Sequence, residues 1–307
     1  MMQTTLRKEV RCSGVGLHSG RKINMVLRPA SADTGVVFSL WKDGQHQIIT
    51  PAPERIVGTG LATTLGNGSV KVATIEHLLG ALVGLNVDNV LVEVDGEEIP
   101  ILDGSALGFV YLLGSAGLHS LNIPRKVAKI VRPLVFSRDG KRIAAYPYNG
   151  LRIDYIIQFD HPRIGRQYFR FDAAIHDFAS SIARARTFGF MKDVEWLQKN
   201  GLALGGSLDN AVVFDENGPL NPEGLRFADE MVRHKILDFM GDTAVGSHRL
   251  WGRFEVSCSG HEMNNQFMRH LFTHASEYLE FAELGERERK GRPKIPVPVS
   301  TPVPAWA

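Results

Sequence analysis

Ile23, Met25 and Leu27 fall on one side of a period-two pattern that Pro29 ends, which is the signature of a half-buried strand. Residues 36–41 form a second β-rich run. Residues 61–65 and 69–72 flank Gly66-Asn67-Gly68, a hairpin signal, because an Asn-Gly pair takes positive φ at little cost. The period then changes: over residues 73–85, Leu78, Leu82 and Leu85 share one helical face, and Gly84 and Asn86 suit the exit. Val90, Val92 and Val94 occupy one side of a strand over residues 87–94, and an apolar helix is predicted over residues 106–118.

Beyond Asn122-Ile123-Pro124-Arg125 the succession begins again. Strands are predicted over residues 127–136 and 141–146 around a turn at Asp139-Gly140, and over residues 151–159 and 254–257. Helices are predicted over residues 178–186, 230–240 and 264–281. Each stretch offers a few strands and at least two helices, enough for a domain. The expected organisation is a duplicated α+β unit, residues 1–124 and 125–284, although no residue-level repeat is visible. Residues 285–307 carry Pro293, Pro296, Pro298, Pro302 and Pro304 behind a charged run and are expected to be extended or disordered.

Composition narrows the class. At 307 residues, with 44% hydrophobic and 22% charged positions, the chain has globular composition. Lys+Arg 35 against Asp+Glu 33 is too balanced for a protein that coats nucleic acid, so no nucleic-acid partner is expected. No apolar run reaches the ~18 residues of a membrane helix, and residues 1–11 hold no signal-peptide stretch. Cys12 and Cys258 cannot make a disulfide framework and read as buried thiols in a reducing compartment. A cytoplasmic protein without a membrane span is expected.

Chemistry is suggested first by Arg233-His234-Lys235-Ile236-Leu237-Asp238. Residues four apart share a helical face, so His234 and Asp238 suit two ligands of one zinc ion, although spacing alone favours a solvated polar stripe. Asp242 continues the line by one turn if Gly241 does not break the helix. Glu76-His77 opens a leucine-rich helix; adjacent side chains point about 100° apart, so they divide labour rather than share an ion, or simply solvate the first turn. Together, His77, His234 and Asp238 would make three protein ligands with an open fourth position, the arrangement of a catalytic zinc. Ser259-Gly260-His261 puts an imidazole at a strand end. The glycine-rich stretch from Gly14 to Gly20 lacks the Lys of a phosphate-binding loop and reads as a turn between strands, with approach to a ligand as the alternative.

Six ordered motifs then carry a resemblance: Gly16-Leu17-His18-Ser19-Gly20, Thr74-Ile75-Glu76-His77-Leu78, Ile101-Leu102-Asp103-Gly104-Ser105, Ala183-Arg184-Ala185-Arg186-Thr187-Phe188-Gly189-Phe190, Arg233-His234-Lys235-Ile236-Leu237-Asp238 and Ser259-Gly260-His261. From about residue 3 to about residue 282 the chain resembles the UDP-3-O-acyl-N-acetylglucosamine deacetylases, zinc amidases of lipid A synthesis in Gram-negative bacteria. The resemblance implies two similar α+β domains, each a sheet packed on helices, with the helical layers facing each other and the site between them. It implies one Zn2+ held by His77, His234 and Asp238, with Fe2+ as the alternative ion in cells. It implies Glu76 as general base, His261 as general acid, Asp242 as the carboxylate orienting that acid, and Thr187 as a hydroxyl on the oxyanion. Lys235, Lys141, Phe159 and His18 match positions near the nucleotide and its phosphates. Residues 188–225 match an insert that forms an apolar passage for the fatty-acyl chain, with Phe188, Met191, Val194, Leu208 and Val213 as its lining. The implied partner is a nucleotide-sugar substrate carrying a fatty-acyl chain, met by a monomer. Cys258 departs from the pattern, standing where some relatives carry a basic residue near the phosphates. Two rivals fare worse: a zinc peptidase lacks its His-Glu-x-x-His, and a non-catalytic binding protein would be expected to have lost one of Glu76, His77, His234 or Asp238.

Overall fold

The computed structural model describes residues 1–42 and 44–285; the expectation for the tail falls outside them beyond Gly285. The chain opens with β1 (Met2–Leu6), β2 (Val10–Val15), β3 (Lys22–Pro29), β4 (Val36–Lys42) and β5 (Gln45–Ile49). After a 3₁₀ turn at Pro53–Arg55 come β6 (Ile56–Gly58), β7 (Thr64–Asn67) and β8 (Val70–Val72). Helix α1 (Glu76–Gly84), β9 (Val90–Val94), α2 (Leu107–Ala116) and β10 (Leu118–Pro124) follow. The chain continues with β11 (Lys126–Ile130), β12 (Leu134–Arg138), β13 (Lys141–Tyr146), β14 (Leu151–Gln158), β15 (Arg166–Asp172) and α3 (Phe178–Ser181). Next are β16 (Phe188–Phe190), α4 (Met191–Lys199), β17 (Val212–Phe214) and α5 (Glu230–Asp242). Finally come β18 (Arg249–Ser257), α6 (His261–Thr273), α7 (Ala275–Tyr278) and β19 (Leu279–Glu283).

This is a mixed α+β architecture. One sheet has five strands in the order β2-β3-β9-β4-β5, with β9 antiparallel to β3 and parallel to β4. Val90, Val92 and Val94 all point into its buried side, as their alternation requires. A seven-stranded sheet is built around β18, which pairs with β11 along its first residues, with β13 along its last, and with β14 on its other edge. Most buried apolar residues of both sheets and of α1, α2, α5 and α6 form one continuous core, while Val127, Trp251 and Leu284 make a small separate cluster. The hairpin between β7 and β8 turns at Gly68 with φ +62°, while Asn67 stays in the strand. A glycine first in a two-residue loop is the need of a type II′ turn, so the dipeptide signal worked through its glycine alone.

Several expected boundaries are corrected. The first helix starts at Glu76 rather than at residue 73, because Thr74 takes φ +59°, incompatible with a helix interior and costly for a β-branched residue. The apolar helix ends at Ala116, where Gly117 turns at φ +67°, and Leu118 pairs with Leu6 across β10 and β1. The helix expected over residues 178–186 is a single turn, α3, capped by the Asp177 carboxylate, which accepts from Ser180 N–H. The closing helix does not reach Phe281: residues 279–283 form β19, antiparallel to β11 at the sheet edge, because edge pairing outweighs the local helical pattern. Pro133 lies between β11 and β12, so residues 127–136 are two strands. Cys12 and Cys258 are half-buried, not buried; burial still pushes the Cys12 thiol up to about 11.

Helices α1 and α5 cross in opposite directions at glycines. A Cβ on Gly241 would stand 2.0 Å from the Glu76 carbonyl oxygen, and one on Gly80 would stand 2.6 Å from Leu237 Cδ1. No larger residue allows the two backbones so near. That approach brings the start of α1 against the end of α5.

Candidate active site

At this crossing His77 from α1 meets His234 and Asp238 from α5, all three buried, with relative exposures of 4%, 2% and 2%. One ligand atom from each lies within 4.8 Å of the others. Asp238 Oδ1 is 3.2 Å from His234 Nε2 and 3.6 Å from His77 Nε2, and the two rings stand at 84° to each other. Two ligands on one tetrahedral zinc, each ~2.0–2.1 Å from it, are about 3.3 Å apart, so these separations fit a shared ion. Among the described residues, buried Asp238 Oδ1 and His77 Nδ1 find no hydrogen-bond partner, an arrangement that is costly in an ion-free core. His234 Nδ1–H donates to the Ala185 carbonyl at 3.0 Å, which leaves its Nε2 lone pair free to ligate. The donor set, two imidazoles and a carboxylate, suits zinc.

The electrostatics agree with a ligand set. Burial, with the charges of His77 and Lys235, pulls His234 down to about 3 against the pull of Asp238, so its imidazole is neutral at pH 7. Burial disfavours charge on Asp238, yet the His234 ring and the Lys235 ammonium hold its carboxyl well below the usual carboxylate range. Lys235 Nζ donates to Asp238 Oδ2 at 2.5 Å.

Beside the cluster stand two more carboxylates and a third imidazole. Burial raises Glu76 above its ordinary value, with His261 and His77 opposing and the Asp242 and Asp238 charges reinforcing. Burial alone would lower His261, but the Asp242 carboxylate, 2.9 Å from its Nδ1, outweighs it and raises the ring to about 9. The Nδ1–H donates to Asp242 Oδ2, so Nε2, 4.0 Å from Asp238 Oδ2, is turned towards the ligand cluster. Gly241 does not break α5, and Asp242 lies in its last turn as the spacing suggested.

The remaining expected residues are spread around this centre. Thr187 is half-buried, its N–H donating to the Gly104 carbonyl at 2.7 Å and its carbonyl accepting from Val212. Phe188 packs between Phe159 and His234, with ring centroids 5.5 and 6.3 Å away. His18 N–H donates to Glu98 Oε1 and its Nδ1 accepts from Ala203 N–H, while its buried Nε2 has no hydrogen-bond partner among the described residues. Lys141 is exposed at the start of β13, outside the cluster; its neighbour Arg142 pairs with Ser257, next to Cys258. In the 188–225 stretch, β16 and β17 pair in parallel, with Gly189 opposite Val213. Met191 and Leu208 are exposed, while Val194 and Val213 are half-buried. No residue of α4 is buried, and Trp196 is 62% exposed. The glycine-rich turn between β2 and β3 packs against this stretch: Gly205 N–H donates to the Leu17 carbonyl, and a Cβ there would lie 2.3 Å from Gly16 O.

Some residues that build the site were given no role from the sequence. Thr63 and Asn264 both donate to Asp242, from Oγ1 at 2.6 Å and Nδ2 at 2.7 Å. Asn264 sits three residues after His261, a helical spacing that could have found it. Buried Arg186 grips Glu230 by its backbone N–H and Nε, and also bonds Glu223 and the Gly224 carbonyl. It thereby braces Ala185, whose carbonyl orients His234.

Comparison with known proteins agrees with this geometry. Residues 3–273 match the family described as LpxC, UDP-3-O-acyl N-acetylglycosamine deacetylase. A UDP-3-O-acyl-N-acetylglucosamine deacetylase of Oleidesulfovibrio alaskensis is 52% identical over 306 residues, covering 99% of this chain and 100% of that protein. One of Nitratidesulfovibrio vulgaris is 53% identical over 289 residues, covering 94% of each, and one of Haemophilus influenzae is 45% identical over 292 residues, covering 94% of this chain and 95% of that one. With a match of that span and relatives about half identical along nearly their whole lengths, the chain belongs to the UDP-3-O-acyl N-acetylglycosamine deacetylase family.

Proposed function

We propose that the cluster at the α1–α5 crossing is the catalytic centre of this zinc-dependent deacetylase of lipid A biosynthesis, and that it removes the acetyl group of UDP-3-O-acyl-N-acetylglucosamine with the residues assigned below. The convergence of His77, His234 and Asp238 beside an ionisable pair carries this reading. A divalent ion held by those three side chains supplies Lewis acidity and makes water acidic near neutral pH. Zinc suits the donors, and ferrous iron is the alternative in cells.

Glu76 accepts a proton from the attacking water through its carboxylate. The Thr187 hydroxyl steadies the oxyanion of the tetrahedral species. His261, protonated because of Asp242, donates from Nε2 to the leaving glucosamine nitrogen, so water and amide become acetate and a free amine. Lys235 balances the Asp238 charge and, with Lys141, Phe159 and His18, serves the nucleotide end of the substrate. Cys258 leaves the phosphates one cation fewer than in relatives with a basic residue there.

We also read the chain as two similar domains, residues 1–124 and 125–284. This is supported by the five-stranded sheet lying wholly in the first stretch and the seven-stranded sheet wholly in the second. A monomer in the cytoplasm fits, since one chain supplies every assigned residue and no described helix is long and apolar enough to cross a membrane. Acetate release from UDP-3-O-acyl-N-acetylglucosamine, measured with and without a chelator, tests the whole reading. Release should stop with the chelator and return with zinc; chelator-insensitive release would remove the metal from the reaction.

Residues 188–225 then form the acyl passage, with Phe188, Met191, Val194, Leu208 and Val213 along it. Each methylene moved from water into an apolar passage is worth ~0.8 kcal/mol, about fourfold in affinity. Replacing Leu208 or Val213 with Phe should move the chain-length preference towards shorter acyl groups, read as kcat/KM across a substrate series. An unchanged profile in both variants would take the insert out of the acyl site.

A further inference from the structure

We propose that Thr63 is a positioning residue that joins the proton acceptor of the reaction to its proton donor. This rests on the assignment of Glu76 as base and of Asp242 with His261 as acid. Thr63 lies between β6 and β7, 2% exposed, where the chain passes the α1–α5 crossing. Its backbone N–H donates to Glu76 Oε2 at 3.1 Å, and its hydroxyl donates to Asp242 Oδ1 at 2.6 Å. Its carbonyl accepts from Ile75 N–H at 3.4 Å, which ties it to the residue just before α1. One side of the residue therefore holds the base and the other holds the anchor of the acid.

The two bonds do different things. Asp242 accepts on both oxygens: Oδ1 from Thr63, and Oδ2 from Asn264 and from His261 Nδ1–H. The Thr63 bond holds one oxygen and so fixes the plane of the carboxylate, which aims the other oxygen at the imidazole. Without that bond, Oδ1 is a buried acceptor left unpaired, and the carboxylate gains by turning to find another donor. The His261 ring would follow, and an ångström of misplacement at a reacting group can cost about a hundredfold in rate. On the other side, the N–H fixes Glu76 Oε2 and leaves Oε1 for the water. Because both constraints run through one residue, the spacing of acceptor and donor is set by a single backbone unit. Apolar packing alone does not require the hydroxyl, since valine has nearly the same shape.

The test compares Thr63→Val, which deletes the hydroxyl and keeps the N–H, with Thr63→Ser, which keeps both. The zinc-loaded full chain is assayed on UDP-3-O-acyl-N-acetylglucosamine, with metal content measured in parallel. Loss of a hydrogen bond to a charged group predicts a kcat about tenfold to a hundredfold lower in Thr63→Val. KM and bound metal should stay at wild-type levels, and Thr63→Ser should recover most of the rate. On an Asp242→Asn background, Thr63→Val should cost little more, because the hydroxyl acts through that carboxylate. Equal losses in the Val and Ser variants, a change in KM alone, or additive effects with Asp242→Asn would overturn the proposal. An Asp242→Asn enzyme with wild-type kcat would instead fail the acid–base assignment. Should Thr63→Val not fold, Thr63→Cys, of similar size but a weaker donor, is read by the same comparison with Thr63→Ser.

Discussion

His234→Ala should purify with less than about a tenth of the metal carried by the unsubstituted chain, and should lose at least about a thousandfold in kcat/KM. The magnitude follows from where the side chain sits. His234 Nε2 is 3.2 Å from Asp238 Oδ1, and its other nitrogen is committed to the Ala185 carbonyl. No neighbouring imidazole can move into its place, because His77 already faces the same oxygen and His261 is held by Asp242. Two ligands in place of three leave the ion weakly held and wrongly oriented for an open fourth position. Deleting a buried ring also leaves a cavity, so thermal unfolding must be followed alongside metal analysis by atomic emission. A folded His234→Ala protein with a full metal equivalent and normal turnover would end the ligand assignment.

The second large effect concerns the proton donor. His261→Ala should lower kcat/KM by about 10²–10⁴-fold at pH 7, the usual contribution of a positioned acid. In the unsubstituted enzyme the profile of kcat/KM against pH should be bell-shaped. Its acid limb lies above the ordinary carboxylate value, because burial raises Glu76. Its basic limb lies near 9, where His261 loses the proton that Asp242 has held on it. The sign for Asp242→Asn follows directly. Removing the carboxylate leaves burial in charge of the ring, so the basic limb moves to lower pH while the acid limb moves less. The limbs belong to a coupled group, so the single variants are needed to assign them. A basic limb unchanged in both His261→Ala and Asp242→Asn would remove His261 as the acid.

The parts of this site that were legible in the sequence are those that local geometry dictates. His234 and Asp238 share a face of α5 because helical residues four apart must, and Asp242 extends the line. His77 had no such partner in sequence; only the crossing at Gly80 and Gly241 brings it in, and nothing local announces that two helices will touch there. Thr63 was silent for the same reason, since its bonds reach 13 and 179 residues along the chain. The fold divides in a similar way. The alternation of β9 was correctly read as one buried side, whereas α1 is buried all round from Glu76 to Leu82 and Leu85 falls at its cap, half-buried. Where tertiary demands overrode local pattern, the reading failed: Thr74 sits in a left-handed conformation with its hydroxyl donating to Glu98, and residues 279–283 leave the helical pattern to complete a sheet edge against β11.

The crossing of α1 and α5 also bears on how the protein is made. His77 leaves the ribosome 157 positions before His234 (234 − 77), and Asp238 follows only four positions later. At roughly 5–20 residues per second, the first ligand waits on the order of ten seconds or more for the other two. During that interval the stretch holding β9 and β14 is synthesised, while α1 has no α5 to lie against. On the proposed ligand set, a growing chain that ends before α5 holds only one of the three side chains and should not capture the metal. With that set, metal capture would report that both far-separated segments have been made and have docked, and a prematurely terminated product lacking α5 should not hold the ion through this site.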